Sequence, residues 1–230
     1  MKKIYAIYGS GGYAREVMPL LRQNIESLEN DTINEFFFID DYESKKLKVN
    51  DANIVSFDDL ITHNKHLKIS CCVAIADKKA RKEITEKCIS HGIDIISIQA
   101  NNAVIMDNVN IGIGSIINPF VTITSNISIG KCFHANIYSY VAHDCVIGDY
   151  VTFAPGVKCN GNVHIGNNVY IGTGAIIHPG TKEKPLIIGD NSKVAAGSIV
   201  TKNVPKDVTV IGNPAQILTP NLLKKLRSSS

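Results

Sequence analysis

The chain contains 230 residues, of which 44% are apolar and 20% are charged, and its formal net charge is +3. This length suffices for two modest domains, each with its own core, and so small a net charge argues against a nucleic-acid-binding protein. The sequence has no run of about eighteen apolar residues, and its N-terminus lacks the apolar stretch of a signal peptide. We therefore expect a cytoplasmic protein with no membrane span and no signal peptide.

Residues 1–100 alternate between apolar strand patterns and helix patterns. Strands are predicted at 4–8, 36–39 and 69–75. A helix with apolar residues Val17, Leu20 and Leu21 follows the first strand, and a charged helix is predicted at 78–91. Such alternation is typical of α/β domains, so we predict a small Rossmann-like domain with a parallel sheet.

The loop after the first strand has the pattern G-x-G-x-x-G/A, which in a strand-to-helix turn brings backbone N–H groups close to a pyrophosphate. Its residues are Gly9, Ser10, Gly11, Gly12, Tyr13 and Ala14. Asp40 and Asp41 follow the second predicted strand and are candidates for contacts with ribose hydroxyls or a base. The small domain favours a nucleotide diphosphate over NAD, and a tight turn without any ligand is the third interpretation.

The second part of the chain is a hexapeptide repeat. Every sixth residue from Ile105 to Ile177 is apolar, and the residue two places before each is small or apolar. Ile-Gly pairs begin at residues 111, 129, 147 and 165, a spacing of eighteen. An α-helix with a period of 3.6 cannot keep this register. Each hexapeptide therefore supplies a short strand and a turn, and three hexapeptides form one coil of a parallel β-helix.

We assign residues 101–218 to this β-helix and residues 219–230 to a C-terminal tail, with the last residues, 227–230, excluded from the fold. The repeat is predicted to break once, where 181–185 add five residues before the register resumes at Ile188, Val194 and Val200. An insertion of this kind forms a loop at one corner. The loop is either a solvated bulge or a cover on a ligand groove.

Six cysteines are present, with no C-x-x-C pair among them, and Cys145 and Cys159 fall at interior positions of the repeat. In a cytoplasmic protein we expect reduced thiols that pack as small core residues.

His143 and Asp144 are the sharpest catalytic candidates. In the hexapeptide register they lie in a turn, so both side chains project outward from a corner. A histidine with a neighbouring carboxylate has the makings of a general base with an orienting partner. The alternative is an ordinary polar corner on the surface.

Other histidines raise the question of a metal. His134, His143 and His164 would be the ligands of a zinc site that bridges subunits. Their spacing lacks the close histidine pair that such β-helical sites use, so we expect no metal.

Taken together, these segments resemble the two-domain hexapeptide-repeat sugar acetyltransferases, which include bacillosamine-pathway N-acetyltransferases and sialic acid O-acetyltransferases. The resemblance covers nearly the whole chain, and HDCVIG is its most specific segment. The segments are GSGGYAREV at 9–17, DD at 40–41, AIADKKAR at 74–81, Asn136, HDCVIG at 143–148, GNVHIG at 161–166 and IGNPA at 211–215.

The resemblance implies a left-handed β-helix, a homotrimer, and acetyl-CoA as cosubstrate in the groove between neighbouring subunits, with no metal, nucleic acid or membrane partner. His143 would be the base, oriented by Asp144. The N-terminal loop, Asp40, Asp41, Asp77 and Asn136 would bind the substrate, while Gly161, Gly172, Thr173 and Ala196 would line the CoA side.

Three residues depart from the family pattern. Tyr13 stands where relatives commonly carry histidine, Asp77 stands where at least one relative has an amide, and Asp144 replaces a glutamate. These changes bear on specificity more than on the type of reaction.

The resemblance implies an N-acetyltransferase acting on a nucleotide-linked 4-amino-4,6-dideoxy sugar for surface polysaccharide or glycan assembly. Three alternatives stay open at this point: O-acetylation of a sialic acid, a β-helical binding or scaffold protein without catalysis, and zinc-dependent hydration. The nucleotide base and the sugar stereochemistry are not determined by the sequence.

Overall fold

The computed structural model describes residues 2–28, 34–42 and 48–228. They form two compact units, each considered by itself below. The first comprises Met1–Asn101 with Ile113–Asn118, and the second comprises Asn102–Gly112 with Pro119–Ser230.

The first unit is an α/β domain around one six-stranded sheet. Its strands are β1 (Lys3–Tyr8), β2 (Asn34–Ile39), β3 (Lys48–Val49), β4 (Ala52–Val55), β5 (Lys68–Val73) and β6 (Asp94–Ile95). Its helices are α1 (Gly12–Leu28), α2 (Phe57–His63) and α3 (Lys78–Ser90). The strand order is β3-β4-β2-β1-β5-β6, and all neighbours are parallel except β3 and β4. The short strands Ile98–Gln99 and Ile116–Ile117 pair in parallel within the same unit.

Strand β1 positions the loop that follows it. It lies between β2 and β5, so the strand order reverses at β1, and ligands of such sheets bind at the carboxyl edge beside this point. Burial of Ile4, Ala6 and Tyr8 of β1 against Phe57 and Leu60 of α2 fixes the strand within the core.

The sequence predicted the main elements of this unit but missed four, namely β3, β4, α2 and β6. The strand predicted at 69–75, the third in the prediction, is β5 in the structure, because two strands, β3 and β4, lie between it and β2. Helix α2 also precedes it. Strands of two and four residues carry too little apolar periodicity to be detected. Helix α2 did carry a signal, since Ser56 caps it by accepting a hydrogen bond from the Asp59 backbone N–H.

The second unit is a parallel β-helix with three faces. The first face is built from Val104–Ile105, Thr122–Ile123, Tyr140–Val141, Lys158–Cys159, Ile176–Ile177 and Ile199–Val200. The second face is built from Val109–Ile111, Ile127–Ile129, Val146–Ile147, Val163–Ile165 and Leu186–Ile188. The third face contains His134–Ala135, Thr152–Phe153, Tyr170–Ile171, Lys193–Val194 and Thr209–Ile211, with Gln216–Ile217 added antiparallel at its end.

The eighteen-residue coil is confirmed by the strand register. Ile123 pairs with Val141, Ile129 with Ile147 and Phe153 with Ile171, and each partner lies eighteen residues further along the chain. From Ile117 to Ile177 every sixth residue is buried, whereas Ile105 and Ile111 keep partial exposure. All six cysteines are free and buried, with Cys145 and Cys159 fully inside the β-helix as predicted.

The register changes twice, so the prediction of a single break is wrong. Ile165 pairs with Ile188, an offset of 23 that equals one coil plus the five inserted residues. Val194 then pairs with Val210, an offset of 16. The short coil arises because the step from Val200 to its successor Val204 is four positions in place of six, and Val204 pairs with Ile188 on the second face. The coil is two residues shorter than the others, but valines occur at several neighbouring positions of this segment. The apolar pattern therefore looks almost unchanged, and the second break could not be detected from the sequence.

Residues 219–230, predicted to form a tail, contain the helix α4 (Pro220–Ser228). Of the excluded end 227–230, residues 229 and 230 lie outside the described part of the chain.

We predict that Gly148→Ala destabilises the β-helix by about 1–3 kcal/mol, because a Cβ there would lie 2.7–2.8 Å from Asn167 and from the backbone of Gly166 in the next coil. The measurement is the free energy of unfolding in urea. Gly174→Asn is the control, since that site has a positive φ that asparagine tolerates and no atom within 4 Å of its Cβ position. Equal stabilities of the two variants would contradict the prediction.

Candidate active site

The β-helix places His143 and Asp144 in one exposed turn, as the register predicted. His143 Nδ1 lies 2.7 Å from Asp144 Oδ2, and the two side chains are 60% and 47% exposed. The backbone of the turn is held by the following coil, because the Asn162 N–H donates to the His143 carbonyl at 3.0 Å. The pair is therefore fixed at its backbone, while both side chains remain partly exposed to solvent.

Asp144 belongs to a column of asparagines. We call the column of turns at 106–108, 124–126, 142–144 and 160–162 the His143 corner. The third residue of each turn has a positive φ of 55–61°, and these residues are Asn108, Asn126, Asp144 and Asn162. Asn108 Nδ2 donates to Asn126 Oδ1 at 3.0 Å, and Asn126 Nδ2 donates to Asp144 Oδ1 at 3.3 Å. One carboxylate oxygen is thus occupied by the column, and the other faces the imidazole.

The surroundings of Asp144 keep its carboxyl group ionised. The hydrogen bond with His143 lowers the pKa of Asp144, and Asn126 and the charge of Lys182 lower it further. A carboxylate can only accept hydrogen bonds, so His143 Nδ1 carries a proton, and in the neutral imidazole Nε2 is the nitrogen that keeps its lone pair. An imidazole held in this way is suited to act as a general base.

Gly161 provides the space in which the His143 ring lies. A Cβ at Gly161 would approach the imidazole to 2.5 Å at Cε1 and 2.6 Å at Nε2. The family resemblance implied only a role on the CoA side for Gly161. The signal for a second role was its spacing, because Gly161 lies eighteen residues after His143 in the chain.

The insertion 181–185 borders a groove beside this pair. The groove has a volume of about 580 Å³, and it is lined by Asp144, His164 and the column of asparagines together with Thr181, Lys182 and Pro185 from the insertion. The loop is closed by mutual backbone hydrogen bonds between Thr181 and Lys184. Of the two interpretations of the insertion, this position favours a cover on a groove.

The other predicted β-helix residues lie on a different column of turns. We call the turns at 119–120, 136–138, 154–156, 172–174 and 195–197 the Asn136 corner. It contains Asn136, whose Nδ2 donates to the Phe153 carbonyl at 2.8 Å, and it contains Gly172, Thr173 and Ala196. The Gly197 N–H donates to the Thr173 carbonyl at 2.8 Å, which stacks the turns. Three of the four predicted CoA residues are thus together, and Gly161 is at the His143 corner.

The three histidines considered for zinc differ in their environment. His134 is fully buried, whereas His143 and His164 are exposed. Within the described ranges 2–28, 34–42 and 48–228, no group of three or more His, Cys, Asp or Glu side chains is placed to hold a metal ion.

The first unit contains a cavity of about 720 Å³ at the carboxyl edge of its sheet. The glycine loop, Asp40, Asp41, Tyr42 and Lys87 line it together with apolar residues of β2, α3 and the loop after β5. Gly9 has a φ of +104°, which favours glycine, and nothing lies within 4 Å of a Cβ position at Gly11. The loop therefore leaves room for a ligand against the first turn of α1.

Both predicted acids help to shape this cavity. Asp40 accepts hydrogen bonds from the Ser10 hydroxyl at 2.6 Å and from the Tyr42 N–H at 3.0 Å. Asp41 accepts from the Tyr8 hydroxyl at 2.7 Å and from the Phe57 N–H at 2.9 Å.

The pKa of Asp41 is set by opposing influences. Burial raises it, but the hydrogen bonds from Phe57 and Tyr8 and the charge of Lys87 prevail and lower it. Lys87 Nζ lies 3.8 Å from Asp41 and also over the Phe57 ring at 3.9 Å. Lys87 was not among the predicted site residues, although its place on the charged helix that follows β5 was a usable signal.

Two predicted substrate residues have internal partners. Tyr13 lines the cavity, and its hydroxyl accepts a hydrogen bond from Asn118 Nδ2 at 3.1 Å, while burial raises its pKa. Asp77 caps α3 by accepting from the Ala80 N–H at 2.8 Å, and it is not among the residues that line the cavity.

Comparison with known proteins identifies the family. The PglD N-terminal domain matches residues 5–88. A GDP-perosamine N-acetyltransferase of Escherichia coli O157:H7 is 48% identical over 213 residues, which are 93% of this chain and 95% of that protein. The chain belongs to the two-domain sugar N-acetyltransferases. This result confirms the family predicted from the sequence.

Solved structures of this N-acetyltransferase family share the fold. WeeI from Acinetobacter baumannii AYE is 50% identical, with a TM-score of 0.89 over 95% of this chain and 100% of that chain. PerB from Caulobacter crescentus, solved in complex with CoA and GDP-perosamine, is 27% identical, with a TM-score of 0.79 over 94% of this chain and 97% of that chain. The predicted α/β domain followed by a left-handed β-helix is confirmed.

Among the residues that the structure describes, no helix of this N-acetyltransferase has the length and apolar character required to cross a bilayer.

We predict that Gly161→Ala lowers kcat of acetyl transfer by about 100-fold or more, because the new methyl group displaces the His143 imidazole. The ring is exposed and can move aside, so the melting temperature should change little. The measurement is CoA thiol release.

A double variant tests whether Gly161 acts through His143. Gly161→Ala combined with His143→Ala should be no slower than His143→Ala alone, since both changes remove the same function. Additive losses, or a raised KM for acetyl-CoA with kcat unchanged, would contradict this role and favour a contact with CoA.

Proposed function

We propose that the protein transfers the acetyl group of acetyl-CoA to the 4-amine of a GDP-linked 4-amino-4,6-dideoxy sugar, with GDP-perosamine as the first candidate. The observation that carries this proposal is the 48% identity to a GDP-perosamine N-acetyltransferase over 93% of the chain. The complex of PerB with CoA and GDP-perosamine supports the same pair of substrates. The guanosine nucleotide thus rests on the relatives, since the sequence left the base open.

His143 is proposed as the general base. The amine nitrogen attacks the thioester carbonyl, and Nε2 of His143 takes the proton that the nitrogen loses. The C–S bond then breaks, and the CoA thiolate leaves and takes up a proton from the imidazolium. A positioned base of this kind contributes about 10²–10⁴-fold to the rate.

Asp144 is proposed to hold the imidazole and to stabilise its charged form, at the observed distance of 2.7 Å. Its substitution for glutamate in the family pattern shortens the side chain by one methylene. The direct contact within one turn shows that the shorter carboxylate still reaches Nδ1 of its neighbour.

The cavity of the first unit is proposed to bind the GDP moiety. The loop 9–13 and the N-terminus of α1 offer backbone N–H groups to the diphosphate. Asp40 and Asp41 lie at the same edge, and the apolar wall suits a planar base. Asp77 is proposed to affect substrate binding only indirectly, because it caps α3 and residues of α3 line the cavity.

The CoA side is proposed to lie along Gly172, Thr173 and Ala196, with Asn136 next to the acceptor sugar. These residues occupy the Asn136 corner, whereas His143 and Gly161 occupy the His143 corner of the same β-helix. Two corners of one β-helix point in different directions, which supports a homotrimer in which the His143 corner of one subunit faces the Asn136 corner of the next. Backbone N–H groups there would stabilise the oxyanion, each by about 10²–10³-fold.

We place the reaction in the cytoplasm, since six free and buried cysteines suit a reducing compartment. An N-acetylated nucleotide sugar is an activated glycosyl donor. A glycosyltransferase of surface polysaccharide or glycan assembly would consume it.

We predict thiol release from acetyl-CoA with GDP-perosamine, and a loss of about 100-fold or more in His143→Ala because the proton acceptor is gone. The panel also includes UDP- and dTDP-linked 4-amino sugars and sialic acids. His66→Ala, an exposed histidine of the first unit, is the control and should match the parent.

Other outcomes of this assay decide between the alternatives. Turnover with sialic acids alone would move the function to O-acetylation. A His143→Ala variant as active as the parent would overturn the mechanism. If the parent protein releases no thiol with any acceptor of the panel, a binding protein without catalysis is favoured. One equivalent of zinc in the purified protein would favour hydration chemistry.

We also predict that Asp40→Ala weakens GDP binding by about tenfold, because the Ser10 hydroxyl and the Tyr42 N–H lose the acceptor that fixes the loop. Calorimetric titration with GDP measures the effect. Asp58→Ala, an exposed acid of α2, is the control. An unchanged GDP affinity in Asp40→Ala would show that the loop holds its shape without this carboxylate.

A further inference from the structure

Two exposed aromatic rings are stacked at the Asn136 corner. The ring centroids of Phe120 and Tyr138 are 4.9 Å apart, and their planes differ by 2°. The two residues are 54% and 63% exposed. They lie eighteen residues apart, so each occupies the third position of its turn in neighbouring coils. This pair plays no part in the function proposed so far.

The backbone at both positions is unfavourable for an aromatic residue. Phe120 has a φ of +61° and Tyr138 a φ of +59°, in the left-handed region that favours glycine, asparagine and aspartate. Elsewhere in the β-helix these turn positions carry asparagine, aspartate or glycine, or residues that are buried, namely Cys132 and Tyr150. Phe120 and Tyr138 combine the strained backbone with an exposed ring. Strain of this kind, held without burial, is typical of functional sites.

Tyr138 is the last ring of this stack and is largely exposed. Phe120 covers one face of the ring, and the next turns of the column carry Gly156 and Gly174 at the equivalent position. A Cβ at Gly156 would find its nearest neighbour at 4.0 Å, and a Cβ at Gly174 would find none within 4 Å. No side chain of the column therefore fills the space beyond Tyr138. The corner offers a flat aromatic surface next to a bare backbone.

This surface adjoins the residues proposed for the acceptor and the cosubstrate. Tyr138 is in the same turn as Asn136, whose carbonyl accepts from the Ser139 N–H. Thr173 and Ala196 lie in later turns of the same corner. Tyr138 therefore lies two residues from the position proposed for contact with the acceptor sugar.

We propose that Phe120 and Tyr138 form the platform on which the apolar face of the acceptor sugar stacks, an inference that rests on the proposed function. The face of an aromatic ring is electron-rich and attracts the partial positive charge of C–H groups. A 4-amino-4,6-dideoxy pyranose has a face of C–H groups and a methyl group in place of a hydroxymethyl group. The platform thus selects a deoxy sugar.

The test is Tyr138→Asn, which removes the ring and keeps a residue suited to the left-handed backbone, as at Asn126 and Asn162. We expect KM for GDP-perosamine to rise by about fivefold or more, the size of one lost stacking contact. KM for acetyl-CoA and the dissociation constant of GDP alone should stay within about twofold of the parent. Tyr138→Phe retains the ring and should restore the parent KM.

Stability and assembly are measured on the same variants. The melting temperature of Tyr138→Asn should not fall, because asparagine relieves the backbone strain. Its molecular mass by light scattering should equal that of the parent. A smaller particle would overturn the platform and make the pair an assembly contact. An unchanged KM for GDP-perosamine would overturn it as well, and an equal loss of GDP affinity would identify the base as the stacking group.

Failure of the proposed function gives a different result. If the parent chain releases no thiol with any amino sugar, the N-acetyltransferase proposal fails. Calorimetry then decides the platform by itself, through the ratio of the dissociation constants of GDP and GDP-perosamine. A parent that binds GDP-perosamine more tightly than GDP, with the difference lost in Tyr138→Asn, supports the platform. Equal ratios in the two proteins overturn it.

Discussion

Backbone hydrogen bonding between successive coils is the constraint on which the β-helix depends. The N–H and C=O groups of one coil pair with those of the next, at eighteen residues' distance through most of the unit. Each residue therefore lies directly over its counterpart, and the turns align into columns. The close approach leaves no room for a side chain at Gly130, Gly148 or Gly166, where the coils meet backbone to backbone. The chemistry of the protein is consequently arranged in columns as well.

The two columns differ in character. The His143 corner is polar, with amide side chains linked from coil to coil and one carboxylate among them. The Asn136 corner is a mixture of small residues, glycines and the stacked aromatic pair. The proposed base and its orienting acid belong to the first, and the residues proposed to contact the acceptor sugar and CoA belong to the second. The α/β unit contributes a third element, the cavity at the carboxyl edge of its sheet. This cavity lies beside β1, the strand at which the strand order reverses.

The sequence predicted what repetition and motif spacing encode. The β-helix, its coil length, the insertion and the exposure of His143 and Asp144 all follow from a six-residue period. The strands Lys48–Val49 and Ala52–Val55 were missed because they are too short to show periodicity. The sixteen-residue coil was missed because valines before and after Val204 preserve the apolar pattern. The contact of Gly161 with the imidazole depends on the direction in which the His143 side chain points. This direction cannot be derived from composition or from spacing.

The asparagine column at the His143 corner has an evolutionary consequence. Asp144 differs from Asn108, Asn126 and Asn162 in a single functional group, a carboxylate in place of an amide, with the same backbone conformation. The backbone of the column therefore accommodates an acid at the level of residue 144, where Asn126 donates a hydrogen bond to it, without a change of fold. One exchange of an amide for a carboxylate beside His143 supplies the orienting partner proposed for that histidine. Chemistry in such a repeat protein can arise by point substitution within an already stable stack.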